Sequence, residues 1–217
     1  MEWLAGLLHL LAGFFDVLLH LDVHLAAWVQ EYGLWIYAIL FAVIFCETGL
    51  VVTPILPGDS LLFVAGAIAA VGDLEIHLLV GVLLLAAFLG NMANYGIGRW
   101  LGKRFFVDKK SRLLNPVHLE KAHAFYERHG GKAVVISRFL PIIRTYIPFV
   151  AGLGELQTLR FTLFNIAGAV AWVASITYAG YFFGNIPGIR NNLTAIIVGI
   201  IVLSMVPVVL AWLKQRK

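Results

Sequence analysis

The sequence predicts an all-α integral membrane protein that contains an inverted repeat of two re-entrant helical hairpins. Hydrophobic residues make up 61% of the chain and charged residues 13%, whereas soluble domains carry roughly 25% charged residues. Apolar segments long enough to cross a bilayer alternate with shorter, proline-containing ones. The four letters Phe-Val-Ala-Gly occur at 63–66 and again at 149–152, and each copy precedes a predicted spanning helix. Inverted repeats with broken helices are typical of secondary transporters.

The segment 137–152, SRFLPIIRTYIPFVAG, carries the strongest functional signal. It is a mostly apolar run that carries two arginines, Arg138 and Arg144, and two prolines, Pro141 and Pro148. An arginine at membrane depth costs roughly 2.5–3.5 kcal/mol on insertion scales, so it requires a partner, a water-filled cavity or an anionic ligand. We expect both prolines to interrupt helical hydrogen bonding, which is tolerated in a membrane only inside protein or beside a cavity. The segment therefore predicts a substrate site.

The charge distribution predicts the topology. All 16 Lys and Arg residues lie at or after Arg99, whereas 8 of the 12 acidic residues precede it. The positive-inside rule places the basic loop 103–132 and the basic C-terminus in the cytoplasm. Attraction to anionic lipid explains the basic pI of about 9.3. We therefore predict membrane lipids, and not nucleic acid, as partners.

Apolar runs and turn residues divide the chain into five segments. Residues 34–56 and 61–71 are apolar arms on either side of a proline-glycine tip, and the second arm is too short to span. The predicted segments are an N-terminal amphipathic or membrane helix (1–33), a first re-entrant hairpin with a transmembrane helix (34–102), a cytoplasmic amphipathic loop (103–132), a second hairpin with a transmembrane helix (133–184), and a C-terminal transmembrane helix with a basic tail (185–217). Residues 34–184 form one domain.

Glycines and polar residues on these segments predict how the helices pack. Ala86, Gly90, Asn94, Gly98 and Gly102 recur every fourth residue, which allows another helix to approach closely. Glycines and prolines are expected to shape the hairpins and their packing: Pro54, Pro57, Gly58, Pro141, Pro148, Gly66 and Gly152. Polar residues in the spans are expected to face protein or line a cavity: Asn91, Asn94, Tyr95 and Asn165.

Four charged residues are predicted to converge where the hairpin tips meet. The first hairpin contributes Glu47 and Asp59, and the second contributes Arg138 and Arg144. The planar guanidinium group suits phosphate and stays charged at any biological pH. We expect the arginines to bind an anionic headgroup while the acids exchange protons or release the arginines. The alternative is that buried ion pairs only fix the packing of the hairpins.

We predict no cofactor and no metal centre. Glycines at 96, 98 and 102 have the wrong spacing for a dinucleotide site, and no convincing metal-ligand motif is present. Cys46 is the only cysteine, so no intrachain disulfide forms, and we expect its thiol to be buried.

Long motifs resemble the DedA family of bacterial inner-membrane proteins, which carry the VTT domain. The resemblance rests on FCETGLVVTPILPGDSLLFVAG at 45–66, NYGIGRWLG at 94–102, FYERHGG at 125–131, SRFLPIIRTYIPFVAG at 137–152 and YAGYFFG at 178–184. It covers almost the whole chain.

The resemblance implies a multi-pass protein of the bacterial inner membrane with two opposed re-entrant hairpins. It implies recycling of lipid carriers such as undecaprenyl phosphate, dependence on the proton-motive force and, in eukaryotic relatives, phospholipid scrambling. The essential acids of the family correspond to Glu47 and Asp59, and its essential arginines to Arg138 and Arg144. One position departs from the pattern, because Asn91 stands where the family leads us to expect Asp.

The leading hypothesis is a flippase for an anionic lipid phosphate that is coupled to protons. The alternatives are an uncoupled phospholipid scramblase and a non-transporting factor of membrane homeostasis. An enzyme acting on lipid phosphates is disfavoured, because no nucleophile–base set or metal-ligand cluster accompanies the arginines. The sequence also allows a homo-oligomer.

Overall fold

The computed structural model of the chain describes residues 31–50, 58–72, 74–105, 124–140, 143–154 and 156–186. All regular secondary structure in these ranges is helical. The helices are α1 (Trp35–Gly49), α2 (Gly58–Val71), α3 (Ile76–Phe105), α4 (Lys132–Ser137), α5 (Tyr146–Leu153) and α6 (Thr158–Gly184). Residues 124–129 are also helical. The predicted N-terminal helix (3–29) and C-terminal helix (193–213) lie outside the described residues.

Two of the described helices are long and apolar enough to cross a membrane. They are Ile76–Leu101, within α3, and Thr158–Gly184, which is α6. The sequence predicted spans at 74–102 and 161–184, so both helices are confirmed, and α6 begins three residues earlier than expected. Helices α1 and α2 are apolar but shorter, as expected for the arms of the first hairpin. Pro54 and Pro57 lie outside the described residues, so the hairpin itself stays a prediction.

The interruption in the second hairpin segment lies before Pro148. Helix α4 ends at Ser137 and α5 begins at Tyr146, and the described residues between them form turns. Pro148 is the third residue of α5, in the first turn, where a backbone N–H has no intrahelical acceptor. The expectation that Pro148 breaks a helix was therefore wrong, since its ring is tolerated at this position. Pro141 lies outside the described residues.

The described residues belong to two compact units. One contains residues 31–36, the described residues of 59–76 and residues 177–186. The other contains residues 37–50, residue 58 and the described residues of 77–176. In the first unit, α2 packs against the end of α6 through glycines. A Cβ atom at Gly180 would overlap the carbonyl oxygen of Phe63, and one at Gly66 would overlap that of Thr177. These glycines let the two helix backbones meet directly.

In the second unit, the small-residue stripe of α3 contacts α1 and α5. A Cβ atom at Gly90 would overlap the hydroxyl group of Thr48 on α1, and one at Gly98 would overlap the carbonyl oxygen of Phe149 on α5. A Cβ atom at Gly152 would in turn overlap the carbonyl oxygen of Tyr95. The predicted close approach along this stripe is confirmed at these positions.

The two Phe-Val-Ala-Gly copies make the same contacts. In each unit, the carbonyl oxygen of the phenylalanine of the copy (Phe63 or Phe149) abuts a helical glycine (Gly180 or Gly98). Each copy ends in a glycine, Gly66 or Gly152. This glycine abuts a carbonyl oxygen of the same helix, that of Thr177 or Tyr95, which lies three residues before the helical glycine. The two copies therefore match in sequence and in their local contacts, while the repeat of the whole hairpin stays a prediction.

The remaining described segments complete the second unit. Helix 124–129 ends at Gly130, which has a φ of 57° that glycine adopts without strain. Burial of its phenol raises the pKa of Tyr126, and the negative charge of Glu127 raises it further. Cys46 is exposed on α1, so the expectation of a buried thiol was wrong. Its neighbour Glu47 takes the buried position instead.

We expect the replacement Gly98→Ala to destabilise the protein by about 1–3 kcal/mol, the usual cost of overpacking a well-packed interior. The added methyl group would overlap the Phe149 carbonyl oxygen, and a backbone atom cannot move aside cheaply. Gly96→Ala is the matched control, because a Cβ atom at Gly96 meets nothing within 4 Å. Thermal unfolding of the purified protein in detergent measures both. Equal melting temperatures for the two variants would contradict the described packing.

Candidate functional site

Both predicted arginines are buried in the second unit. Arg138 directly follows α4, and Arg144 lies in the turn before α5. Their residues are only 3% and 8% exposed. The backbone N–H of Arg138 donates to the Val135 carbonyl oxygen (3.3 Å), and that of Arg144 donates to the Leu140 carbonyl oxygen (3.1 Å). Local turns therefore fix both arginines while both side chains lie inside the protein.

Arg144 forms an ion pair with Glu47. A guanidinium nitrogen, Nη2, donates to Oε1 of Glu47, which lies in the last turn of α1 and is fully buried. The carboxylate also lies against Gly58, the first residue of α2, where a Cβ atom would overlap its oxygens. The pair therefore neutralises one buried positive charge, and glycine at position 58 leaves the space that the carboxylate occupies.

Arg138 contacts neutral oxygen atoms. Its Nη2 donates to Oδ1 of Asn165 (2.7 Å) and to the carbonyl oxygen of Ala87 (3.2 Å). Oδ1 of Asn165 also accepts a hydrogen bond from Nδ2 of Asn91 (3.1 Å). The Nδ2 of Asn165 in turn donates to the carbonyl oxygen of Phe88 (3.0 Å). This network ties Arg138 to α3 and α6.

Trp172 on α6 links the two arginines. The guanidinium carbon of Arg138 lies 5.8 Å from the centre of a Trp172 ring, and that of Arg144 lies 5.5 Å from it. Trp172 is only 1% exposed. Cations within about 6 Å of an indole face are attracted to its π electrons, more strongly where water is excluded. Trp172 therefore partly stabilises two like charges at one place.

The sequence analysis missed Trp172. Tryptophan in membrane helices concentrates near the interfaces, but Trp172 lies near the middle of α6. It also follows Asn165 by seven residues, which places both on one helix face. These two signals together could have identified it. Gly168 lies on the same face, and a Cβ atom there would approach Cδ of Arg138 to 3.0 Å.

The predicted cavity-lining residues are buried and hydrogen-bonded. Asn94 donates from Nδ2 to the carbonyl oxygens of Thr48 (3.2 Å) and Thr145 (2.8 Å), which connects α1 to the residue before α5. The hydroxyl group of Tyr95 donates to the carbonyl oxygen of Leu156, and its ring stacks on Phe161 at 4.2 Å. Asn94 thus fixes the backbone next to Arg144, whereas Tyr95 connects α3 to the residues around the start of α6. That they line a cavity stays a prediction.

The site retains open hydrogen-bonding capacity and positive charge. Among the described residues, Oε2 of Glu47, Nε of Arg138, Oδ1 of Asn94 and Oγ1 of Thr145 are buried without a hydrogen-bond partner. The described partners of Arg138 are neutral oxygen atoms, so they offset the positive charge of its guanidinium group only in part. Buried polar groups without partners are uncommon and point to a ligand, ion or water. A positive charge that is offset only in part favours an anion.

The structure thus brings Glu47, Arg138 and Arg144 to one place, with Asn91 and Asn165 attached through hydrogen bonds. Asp59 is the second residue of α2, partly buried, and belongs to the first unit. A carboxylate in the first turn of a helix is favoured by the helix dipole. The approach of Asp59 to the arginines stays a prediction.

The VTT domain matches residues 56–182 of this chain. Protein DedA from Escherichia coli (strain K12) is 52% identical over 204 residues, which cover 93% of each chain. The chain belongs to the DedA family. This confirms the resemblance found in the sequence motifs. An all-helical membrane protein follows from this membership together with the two long apolar helices.

Other relatives carry names that refer to membranes. A membrane protein from Mycobacterium leprae is 39% identical over 187 residues, covering 85% of this chain and 84% of the relative. Inner membrane protein YghB from Escherichia coli (strain K12) is 36% identical over 157 residues, covering 72% of each chain. No solved structure matches the chain.

Removing one partner of the buried ion pair should strongly lower the stability of the protein, whereas replacing both partners should not. We expect Glu47→Leu to destabilise the protein by about 3–5 kcal/mol, because it leaves the Arg144 charge buried next to an apolar side chain. The double replacement Glu47→Leu with Arg144→Leu should restore most of this loss, since apolar packing replaces two desolvated charges. Denaturant unfolding in mixed micelles measures the full double-mutant cycle. Additive losses in the double variant would contradict direct pairing.

Proposed function

We propose that the protein is a flippase of the bacterial inner membrane that translocates an anionic lipid phosphate, such as undecaprenyl phosphate, in a proton-coupled cycle. Relatives named as inner membrane proteins support this location. The observation that carries the proposal is the pair of buried guanidinium groups over Trp172, of which Arg144 contacts the Glu47 carboxylate and Arg138 contacts neutral oxygen atoms.

Energetic cost argues for a ligand at this site. A buried ion pair stabilises a protein no better than well-packed apolar residues would, so Glu47 and Arg144 contribute little that leucines could not. Arg138 adds a further charge that neutral oxygen atoms offset only in part. A site that binds and releases an anion would explain why charged groups are buried here despite their cost in free energy. Guanidinium groups bind phosphate oxygens through two parallel hydrogen bonds.

Glu47 is suited to compete with the phosphate. Its carboxylate occupies Arg144 in the described structure, so an incoming phosphate has to displace it. Protonation of Glu47 would remove its charge and weaken its hold on Arg144. We propose that this exchange couples proton movement to phosphate binding. Asp59, the second predicted acid, is proposed to take part at another step.

The matching glycine contacts support an inverted repeat. Two copies of one packing unit are the plan on which many secondary transporters build alternating access. Each Phe-Val-Ala-Gly copy abuts a long apolar helix through the same pair of glycine contacts. We propose that the two copies act as equivalent elements that expose the site in turn.

Reconstituted vesicles test the proposal. Full-length protein is inserted into vesicles that contain fluorescent polyprenyl phosphate, and its appearance in the outer leaflet is followed with and without a pH gradient. We expect the gradient to accelerate translocation. Equal translocation of phosphatidylcholine with no effect of the gradient would instead indicate a scramblase. No movement of either lipid would indicate a non-transporting homeostasis factor, and release of free phosphate would indicate an enzyme.

Replacing Arg144 by Lys should reduce translocation at least tenfold in this assay. Lysine keeps the positive charge but lacks the planar, two-pronged donor arrangement. Arg160→Lys is the matched control, because Arg160 lies exposed in the first turn of α6. We expect this control to retain full activity. Full activity of Arg144→Lys would show that charge alone is sufficient and would contradict the proposed phosphate contact.

A further inference from the structure

The two buried arginines differ in what neutralises them. Arg144 contacts a carboxylate, that of Glu47. The described partners of Arg138 are an amide oxygen of Asn165 and the backbone oxygen of Ala87. Such oxygens carry partial charges only, so they stabilise a guanidinium group without cancelling its charge. Arg138 is therefore the more electropositive member of the pair.

The side chain at position 91 lies close enough to Arg138 to determine whether the charge of Arg138 is neutralised. Its Nδ2 lies 3.1 Å from Oδ1 of Asn165, and the Nη2 of Arg138 lies 2.7 Å from the same atom. The two nitrogen atoms are therefore within about 6 Å of each other, a range in which opposite charges interact strongly. A carboxylate at position 91 would neutralise Arg138, whereas the amide present does not.

The amide at position 91 also orients its neighbour. Asn165 donates from Nδ2 to the Phe88 carbonyl oxygen, so its Oδ1 is directed to Arg138 and Asn91. Asn91 donates to this oxygen and so supports Asn165 without adding charge. Among the described residues, Nε of Arg138 lacks a hydrogen-bond partner. Arg138 thus combines a fixed position with a free donor.

We infer that Asn91 determines anion binding at this site, because it places an amide and not a neutralising carboxylate beside Arg138. Arg138 is then the permanent anion-binding group, and Arg144 becomes available when Glu47 is displaced. The ligand class is a phosphate monoester, whether a lipid headgroup or free phosphate. The inference deepens the proposed function, because it assigns roles to the residues of the same site.

Binding measurements on full-length protein in detergent test this inference. Isothermal titration calorimetry with farnesyl monophosphate, inorganic phosphate and uncharged farnesol separates the lipid headgroup, the free ion and the lipid chain. We expect Asn91→Asp to weaken farnesyl monophosphate binding at least tenfold. Asn91→Ala removes the amide without adding charge, and we expect it to weaken binding less than threefold.

A charge-balance variant gives the sharper test. Asn91→Asp adds one negative charge, and Glu47→Gln removes one, so the double variant returns the site to its original net charge. We expect this double variant to recover most of the binding that Asn91→Asp loses. Thermal unfolding checks that each variant is folded. If the double variant does not fold, the comparison of Asn91→Asp with Asn91→Ala is sufficient to test the role of Asn91.

Three results would overturn the inference. They are equal losses in Asn91→Asp and Asn91→Ala, a folded double variant that binds as weakly as Asn91→Asp, and failure of the original protein to bind either phosphate. Binding of free phosphate as tight as that of farnesyl monophosphate would support the role of Asn91 but contradict a lipid substrate. Normal binding without translocation in vesicles would likewise overturn the transport function and leave the role of Asn91 standing.

Discussion

The burial of two guanidinium groups within one helical core is the constraint on which the rest of the second unit depends. Each surrounding element contributes something that makes this burial tolerable: α1 a carboxylate, α3 a backbone oxygen and α6 an amide and an indole ring. None of these contributions would be sufficient alone, because a desolvated charge needs both an opposing charge and satisfied hydrogen bonds. The helices are therefore arranged around the arginines as much as around an apolar core.

Glycine makes this arrangement sterically feasible. Asn94 reaches the Thr48 carbonyl oxygen because Gly90, one turn earlier on α3, lets α1 come within backbone contact. Gly168 similarly leaves room for the aliphatic part of Arg138 beside α6. In a bilayer, where lipid chains solvate apolar side chains well, such close packing supplies much of the association energy between helices. The same residues that bring helices together thus create the positions for polar contacts.

The sequence predicted the charged residues of the site better than it predicted where the helices begin and end. The cost of charge in a membrane identified Arg138, Arg144 and Glu47, and the four-residue glycine spacing identified the contact face of α3. Proline rules failed at Pro148 because they apply to helix interiors, and only the coordinates show that a helix begins two residues earlier. Trp172 carries two signals, its place near the middle of a span and its seven-residue spacing from Asn165, but neither shows which cation its ring meets. Partners such as Asn165 and Ala87, far from Arg138 in sequence, likewise require the tertiary structure.

The position of Trp172 has a consequence for spectroscopy. Its indole ring is buried beside two cations, and the emission wavelength and intensity of an indole depend on nearby charge. An anion that enters or leaves this site changes that charge directly. A chain in which the other tryptophans among the six are replaced by phenylalanine would carry an intrinsic optical sensor beside the two arginines, able to report the entry of an anion in real time without any attached label.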